Sequence, residues 1–233
     1  MWFKKNKKKE KQNQFTNNFK LVFCACMLGI STLFAFIGTF IKIPFFAQMS
    51  LDIDISIIFI IPIIFICSLK WALLSGFINA ILHFAWNASN WIGILILLIS
   101  NLLTILIFSF FKYIVEKNEN IKPKKTKWIY IWFLSIIFLT LFLTILNGIL
   151  FTPLYWWWIS PGLFTNINFI ETSKIYNENP NLHIYLLGIP NYWAGIFGLY
   201  SFFNLIKFVL ISLFSIPILI FFQKYSMTSN LFN

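Results

Sequence analysis

Side chains capable of binding or chemistry are rare in this sequence, and several of them interrupt apolar runs. Lys207 stands among Phe, Leu, Ile and Val residues, and Asn147 interrupts a similar run. A lysine at the centre of a membrane-spanning helix costs about 2.5–3.5 kcal/mol, so its ammonium should face a polar cavity or a partner, or extend to the membrane surface. A buried amide needs hydrogen-bond partners, from a ligand or from a neighbouring helix. Lys207 is therefore the strongest ligand-binding candidate.

Two carboxylates and a histidine are further candidates. Asp52 and Asp54 precede a short apolar run, where they would cap a helix N-terminus or line a pocket. His83 ends another run, without a second His, Cys or carboxylate at the spacing of metal ligands. The sequence also has no phosphate-binding loop and no G-x-S-x-G or H-E-x-x-H motif. We predict neither a metal site nor catalytic residues.

The composition defines the class of protein that must position these residues. Apolar residues make up 59% of the 233 residues and charged residues only 11%. A soluble domain of this size cannot bury so much apolar surface, and disorder requires the opposite balance. The composition therefore predicts an all-α, polytopic membrane protein.

Hydropathy and lysine placement predict the topology. We expect a Lys-rich cytoplasmic tail (1–20), a six-helix membrane domain (21–225) and a short cytoplasmic tail (226–233). The net charge of +11 comes from lysines beside apolar runs, which favours contact with a membrane surface rather than with nucleic acid. Lysines concentrate in the N-terminal tail and after the fourth span, so the positive-inside rule places both termini in the cytoplasm. The predicted spans are 21–41, 55–69, 71–84, 91–115, 128–150 and 195–222.

Two further features leave alternatives open. The outer segment 156–194 begins with three consecutive tryptophans, which would form an interfacial belt or stack on a ligand, and the segment itself would be a lid or a long loop. Ala25 and Gly29 form a ridge of small residues in the first span. Such a ridge allows close approach of another helix, either within the protein or from a partner subunit.

Several short motifs resemble the substrate-binding (S) components of energy-coupling factor vitamin transporters. The stretch 51–56 is similar to that family's opening of the second helix, and 69–80 resembles its short third helix. Two later pieces are similar to the riboflavin members. One combines Asn147 with Pro-Leu-Tyr at 153–155, and the other is Phe-Asn-Leu-Ile-Lys at 203–207. His83 lies near the position of a lysine that is common in those members.

The resemblance implies a function and a set of partners. The chain would capture riboflavin outside the cell and pass it inward together with a transmembrane coupling subunit and two cytoplasmic ATPases, without a cofactor or catalysis of its own. Ala25 and Gly29 would dock onto the coupling subunit. The alternatives are another vitamin or small nutrient, a lipid-modifying enzyme, or a structural membrane protein without a ligand. The implied substrate-binding residues are Asp52, Asp54, His83, Asn147, Tyr155, Asn204 and Lys207.

Overall fold

Helices make up almost all of the chain. The computed structural model describes residues 2–40, 42–45, 49–52, 54–118 and 124–229, with side chains over 17–40, 54–118 and 127–222. The α-helices are α1 (Trp2–Gly38), α2 (Ile57–Ile66), α3 (Leu69–Leu82), α4 (Phe84–Asn87), α5 (Trp91–Lys117), α6 (Lys124–Leu146), α7 (Thr152–Ile159), α8 (Phe169–Glu178), α9 (Tyr192–Ile196) and α10 (Phe202–Ser229).

The chain has the predicted all-α class, with one short hairpin between its first two helices. Two short strands, β1 (Lys42–Phe45) and β2 (Met49–Asp52), pair in antiparallel fashion between α1 and α2. Backbone groups that leave the helices must find partners elsewhere, and the strand ladder supplies them here. Asp52 ends β2, and its side chain lies outside the described residues.

Within the part of the chain that the structure describes, four apolar helical stretches are long enough to cross a membrane. The stretch Leu69–Lys117 has 49 residues and folds back on itself, as the packing of α3 against α5 shows. Its two arms correspond to the third and fourth predicted spans, and α2 corresponds to the second. The six-span topology and its orientation stay predictions. The four stretches are Asn17–Gly38, Leu69–Lys117, Lys127–Ile159 and Tyr192–Phe222.

Helix α2 is only 10 residues long, about half the length that a membrane span needs. Its isoleucines are buried among the surrounding helices, in the main apolar core of the bundle. The ammonium of Lys112 on α5 donates a hydrogen bond to the carbonyl oxygen of Ile64, at 3.0 Å. A cation at a helix C-terminus stabilises its unpaired carbonyls. Protein contacts rather than lipid therefore hold this short helix.

Two π-helical segments interrupt the long helices at one end of the bundle. Asn147–Phe151 joins α6 to α7, and Phe197–Ser201 joins α9 to α10. Such wide turns shift the helix face by part of a turn and occur frequently at functional sites. The hydroxyl of Tyr192 donates a hydrogen bond to the carbonyl oxygen of Gly148, at 2.7 Å. This hydrogen bond joins the two interrupted helices to each other.

Candidate functional site

A cavity of about 280 Å³ lies at the end of the bundle where α1 and α3 end and α5 begins. The residues that follow α6 and the first turns of α10 line the same cavity. The cavity volume is just below the range of about 300–1,000 Å³ that is typical of ligand pockets. Under the predicted topology this is the extracellular end.

The cavity brings together residues from distant parts of the sequence. Every predicted substrate-binding residue with a described side chain contributes to its wall. That these residues bind a substrate stays a prediction. They are Asp54, His83, Asn147, Tyr155, Asn204 and Lys207.

Lys207 occupies the wall of this cavity, and its side chain is only 8% exposed. Among the described residues, its ammonium has no hydrogen-bond or ion-pair partner. The nearest ring that it contacts belongs to Phe208, with the centroid 5.9 Å from Nζ. The expected alternative, in which the ammonium extends to the membrane surface, does not match this burial. A buried ammonium facing an open cavity is available to an acceptor group of a ligand.

Asp54 is the carboxylate of the cavity, and it is 9% exposed. The backbone N–H of Ser56 donates to its Oδ1 at 2.9 Å, and Nδ2 of Asn101 donates to its Oδ2 at 3.2 Å. The expected capping role is thus met in part, because Ser56 directly precedes α2. Both oxygens have donors from the protein, so the carboxylate is held in place without a ligand.

The network continues from Ser56 into the bundle. Nδ2 of Asn79 on α3 donates to the Ser56 hydroxyl at 2.9 Å. The hydroxyl of Ser31 on α1 donates to the Ser56 carbonyl at 2.9 Å and to Asn79 Oδ1 at 3.1 Å. Buried networks of this kind fix one arrangement, since an unpaired group in a low dielectric is costly. The start of α2, and Asp54 with it, is therefore tied to both α1 and α3.

Two amides line the cavity together with Lys207. Asn204, three residues before it on α10, donates through Nδ2 to the hydroxyl of Thr144 at 3.3 Å. Asn147, at the start of a π-helical segment, donates through Nδ2 to the carbonyl of Leu143 at 2.7 Å. Among the described residues, the side-chain oxygens of both amides lack a hydrogen-bond donor. The described wall of the cavity thus presents the amide oxygens of Asn147 and Asn204 together with the ammonium of Lys207.

The outer segment closes part of the cavity. Ile184, Tyr185 and Leu187, in and just after the 3-10 helix Pro180–Leu186, contribute to its wall. A second apolar core holds this segment against α7 and α9. At its centre, the hydroxyl of Tyr176 donates to the carbonyl of Ile189 at 2.6 Å, and burial raises the pKa of Tyr176 to about 12. The segment is a folded cover rather than an extended loop.

The segment also contains two consecutive residues with positive φ. Leu187 has φ 62° and Gly188 has φ 72°. This conformation suits Gly but is strained for Leu. Leu187 lines the cavity, so the strained position lies in the wall of the pocket itself.

The small residues of the first span fall on two opposite faces of α1. Ala25 and Gly29 are exposed, and a methyl group built on Gly29 would contact nothing within 4 Å. Ser31 and Ala35 are buried in the bundle. The ridge of Ala25 and Gly29 therefore faces away from the rest of the described chain, as a docking surface requires.

Sequence reasoning missed part of the site. Asn101 is another amide in an apolar run, but nothing in the sequence indicates its bond to Asp54 in the cavity wall. Tyr200 had no such signal, because it lies in a π-helical segment, whose wide turns change which side chains face inward. Within the described part of the chain, no group of three His, Cys, Asp or Glu side chains is placed to hold a metal ion.

Comparison with known proteins defines the class. The family model "ECF transporter, substrate-specific component" matches residues 19–219, so this chain belongs to that family of membrane transport subunits. The family is one of transport subunits that bind the transported substrate, not of enzymes. Membership in this family therefore argues against the two alternatives from other classes, a lipid-modifying enzyme and a structural membrane protein without a ligand.

Similar proteins occur in two mycoplasmas. An uncharacterised protein of Mycoplasma pneumoniae is 42% identical over 217 residues, covering 93% of this chain and 92% of that protein. An uncharacterised protein of Mycoplasma genitalium is 40% identical over 215 residues, covering 89% of each. A solved structure described as the S component of a bacterial ECF transporter matches with a TM-score of 0.51 and 19% identity, over 93% of this chain and 99% of that one. That likeness supports the shared fold alone.

Proposed function

We propose that this protein is a riboflavin-capturing S component, which binds the vitamin in the cavity at the outer end of its helix bundle. The observation that supports this most directly is the unpaired ammonium of Lys207, buried in the cavity wall that also carries the amides of Asn147 and Asn204. Riboflavin offers a flat ring system with alternating carbonyl and N–H groups at one edge. The ammonium can donate to a ring carbonyl and one amide oxygen can accept from the ring N–H, which leaves the second amide oxygen for a hydroxyl of the polyhydroxyl chain.

The remaining walls suit the other parts of the ligand. Aromatic side chains can contact a flat ring over its faces. Tyr200 and Phe203 lie on the helix that carries Lys207, and Tyr155 and Trp156 lie on α7. The amides of Asn87 and Asn90 and the Asp54 carboxylate border the same space, and a polyhydroxyl chain requires polar groups of this kind.

Transport requires partners, and the exposed face of α1 supports one docking surface. In the proposal, Ala25 and Gly29 contact a transmembrane coupling subunit that works with two cytoplasmic ATPases. The absence of side-chain bulk at these positions permits close approach of a partner helix. The chain would cross the cell membrane six times, with both termini in the cytoplasm.

Absorbance of the purified protein tests the ligand assignment. The protein is produced in a host that contains flavins, purified in detergent, and examined for the flavin bands in the near-ultraviolet and blue. We expect a yellow preparation with close to one flavin per chain. A colourless preparation that also fails to quench the fluorescence of added riboflavin would refute riboflavin as the ligand. The runner-up, another vitamin or small nutrient, would then be sought by thermal-shift screening.

A further inference from the structure

The described wall of the cavity carries two opposite charges that do not form an ion pair with each other. Asp54 and Lys207 both line the wall, and both are less than a tenth exposed. Both side chains are fully described, and no ion pair joins them. In a poorly solvated site such charges attract strongly, so something must keep them apart.

The hydrogen bonds of Asp54 supply that restraint. Its Oδ1 accepts from the backbone of Ser56, which any side chain at position 56 other than proline would preserve. Its Oδ2 accepts from Nδ2 of Asn101, a side chain on α5 that is 1% exposed. Asn101 is thus the removable member of the pair of donors.

We propose that Asn101 is a positioning residue that prevents Asp54 from pairing with Lys207 and so keeps the Lys207 ammonium available to the ligand. Without the amide, Oδ2 of Asp54 would lose its donor and would be free to pair with the ammonium of Lys207, which lines the same cavity without a partner. An ion pair would then compete with the ligand for Lys207. This inference rests on the proposed role of Lys207 in binding.

A double-mutant cycle with riboflavin as the probe tests the proposal on the full chain in detergent. Asn101→Leu keeps a similar volume and removes the donor, and we expect it to weaken riboflavin binding at least tenfold. The loss of one hydrogen bond to a charged group is worth about that much. In the Asp54→Asn background the competing charge is absent, so adding Asn101→Leu should change the affinity by less than about threefold. Equal losses in both backgrounds would show a purely structural role and overturn the proposal.

Asn79→Leu is the matched control. It removes an equally buried amide from the same network but leaves both donors to Asp54 in place. We expect a lower melting temperature without the tenfold loss of affinity. A loss equal to that of Asn101→Leu would also overturn the proposal. Asn101→Ala repeats the cycle should the leucine variant fail to fold.

A ligand-free arm separates this inference from the riboflavin assignment. In the wild-type background, Lys207→Met removes an unpaired buried charge, so the melting temperature should rise or stay constant. In the Asn101→Leu background the same change breaks the new ion pair, so the melting temperature should fall. If the wild-type protein does not bind riboflavin, the ligand assignment fails, and this reversal of sign alone supports the role of Asn101. The same sign in both backgrounds would refute it.

Discussion

Replacing Lys207 by methionine should move ligand affinity and protein stability in opposite directions. Methionine keeps most of the side-chain volume and removes only the charge. A hydrogen bond to a charged group contributes about 1.5–3 kcal/mol, which corresponds to about 10- to 150-fold weaker riboflavin binding. A lysine at the centre of a membrane helix costs about 2.5–3.5 kcal/mol, and the attraction of Asp54 offsets only part of that cost. The ligand-free variant should therefore melt at a higher temperature than the wild type.

Two measurements in the same detergent test this prediction. Quenching of riboflavin fluorescence gives the affinity, and intrinsic tryptophan fluorescence during heating gives the melting temperature. Lys174→Met is the control, because it removes the same charge from an exposed position on α8, outside the cavity. It should change neither quantity. An unchanged affinity for Lys207→Met would refute the assignment of the ammonium to the ligand. A lower melting temperature would show that the charge is already compensated in the free protein.

Two further predictions concern glycines with opposite surroundings. A methyl group on Gly148 would lie 2.5 Å from the Trp193 ring, so Gly148→Ala should lower the free energy of unfolding by about 1–3 kcal/mol. A methyl group on Gly162 would contact nothing within 4 Å, so Gly162→Ala should have little effect. Thermal unfolding of the two variants checks this, and equal stabilities would contradict the close packing of the two interrupted helices. Gly29→Trp should abolish co-purification with the coupling subunit and leave the melting temperature of the isolated protein unchanged. Retained co-purification would place the docking surface elsewhere.

The existence and order of the helices could be predicted because hydropathy reports directly on membrane spans. The ends of these helices could not be predicted from hydropathy. The predicted fifth span ends at Leu150, but the helical chain continues through a π-helical segment to Ile159. The first helix begins at Trp2, inside the segment predicted as a tail. Hydropathy follows lipid contact, whereas hydrogen bonds and packing end a helix, so the two boundaries need not agree.

The candidate site was predictable where burial makes a residue type expensive. Lys207 and Asn147 stand out for this reason, and both line the cavity. The cover formed by the outer segment was not predictable, because its core depends on contacts such as Tyr176 against Trp156, with ring centroids 5.7 Å apart. Neither was the bond between Asn101 and Asp54, which joins residues 47 positions apart. The free-energy cost of burying a polar residue can be inferred from the sequence, but which residues pair with each other depends on the fold.

The two faces of α1 explain why docking and ligand binding can be tested separately. Its inner face is anchored by Ser31, which bonds to the Ser56 carbonyl and to Asn79, and the Ser56 backbone in turn holds Asp54. Its outer face at Gly29 contacts nothing. A bulky residue on the outer face therefore leaves every hydrogen bond of the network intact, whereas Ser31→Ala would remove an anchor of the cavity rim. If Gly29→Trp impaired riboflavin binding to the isolated protein, the two faces would not be independent, and loss of co-purification could not be assigned to the interface.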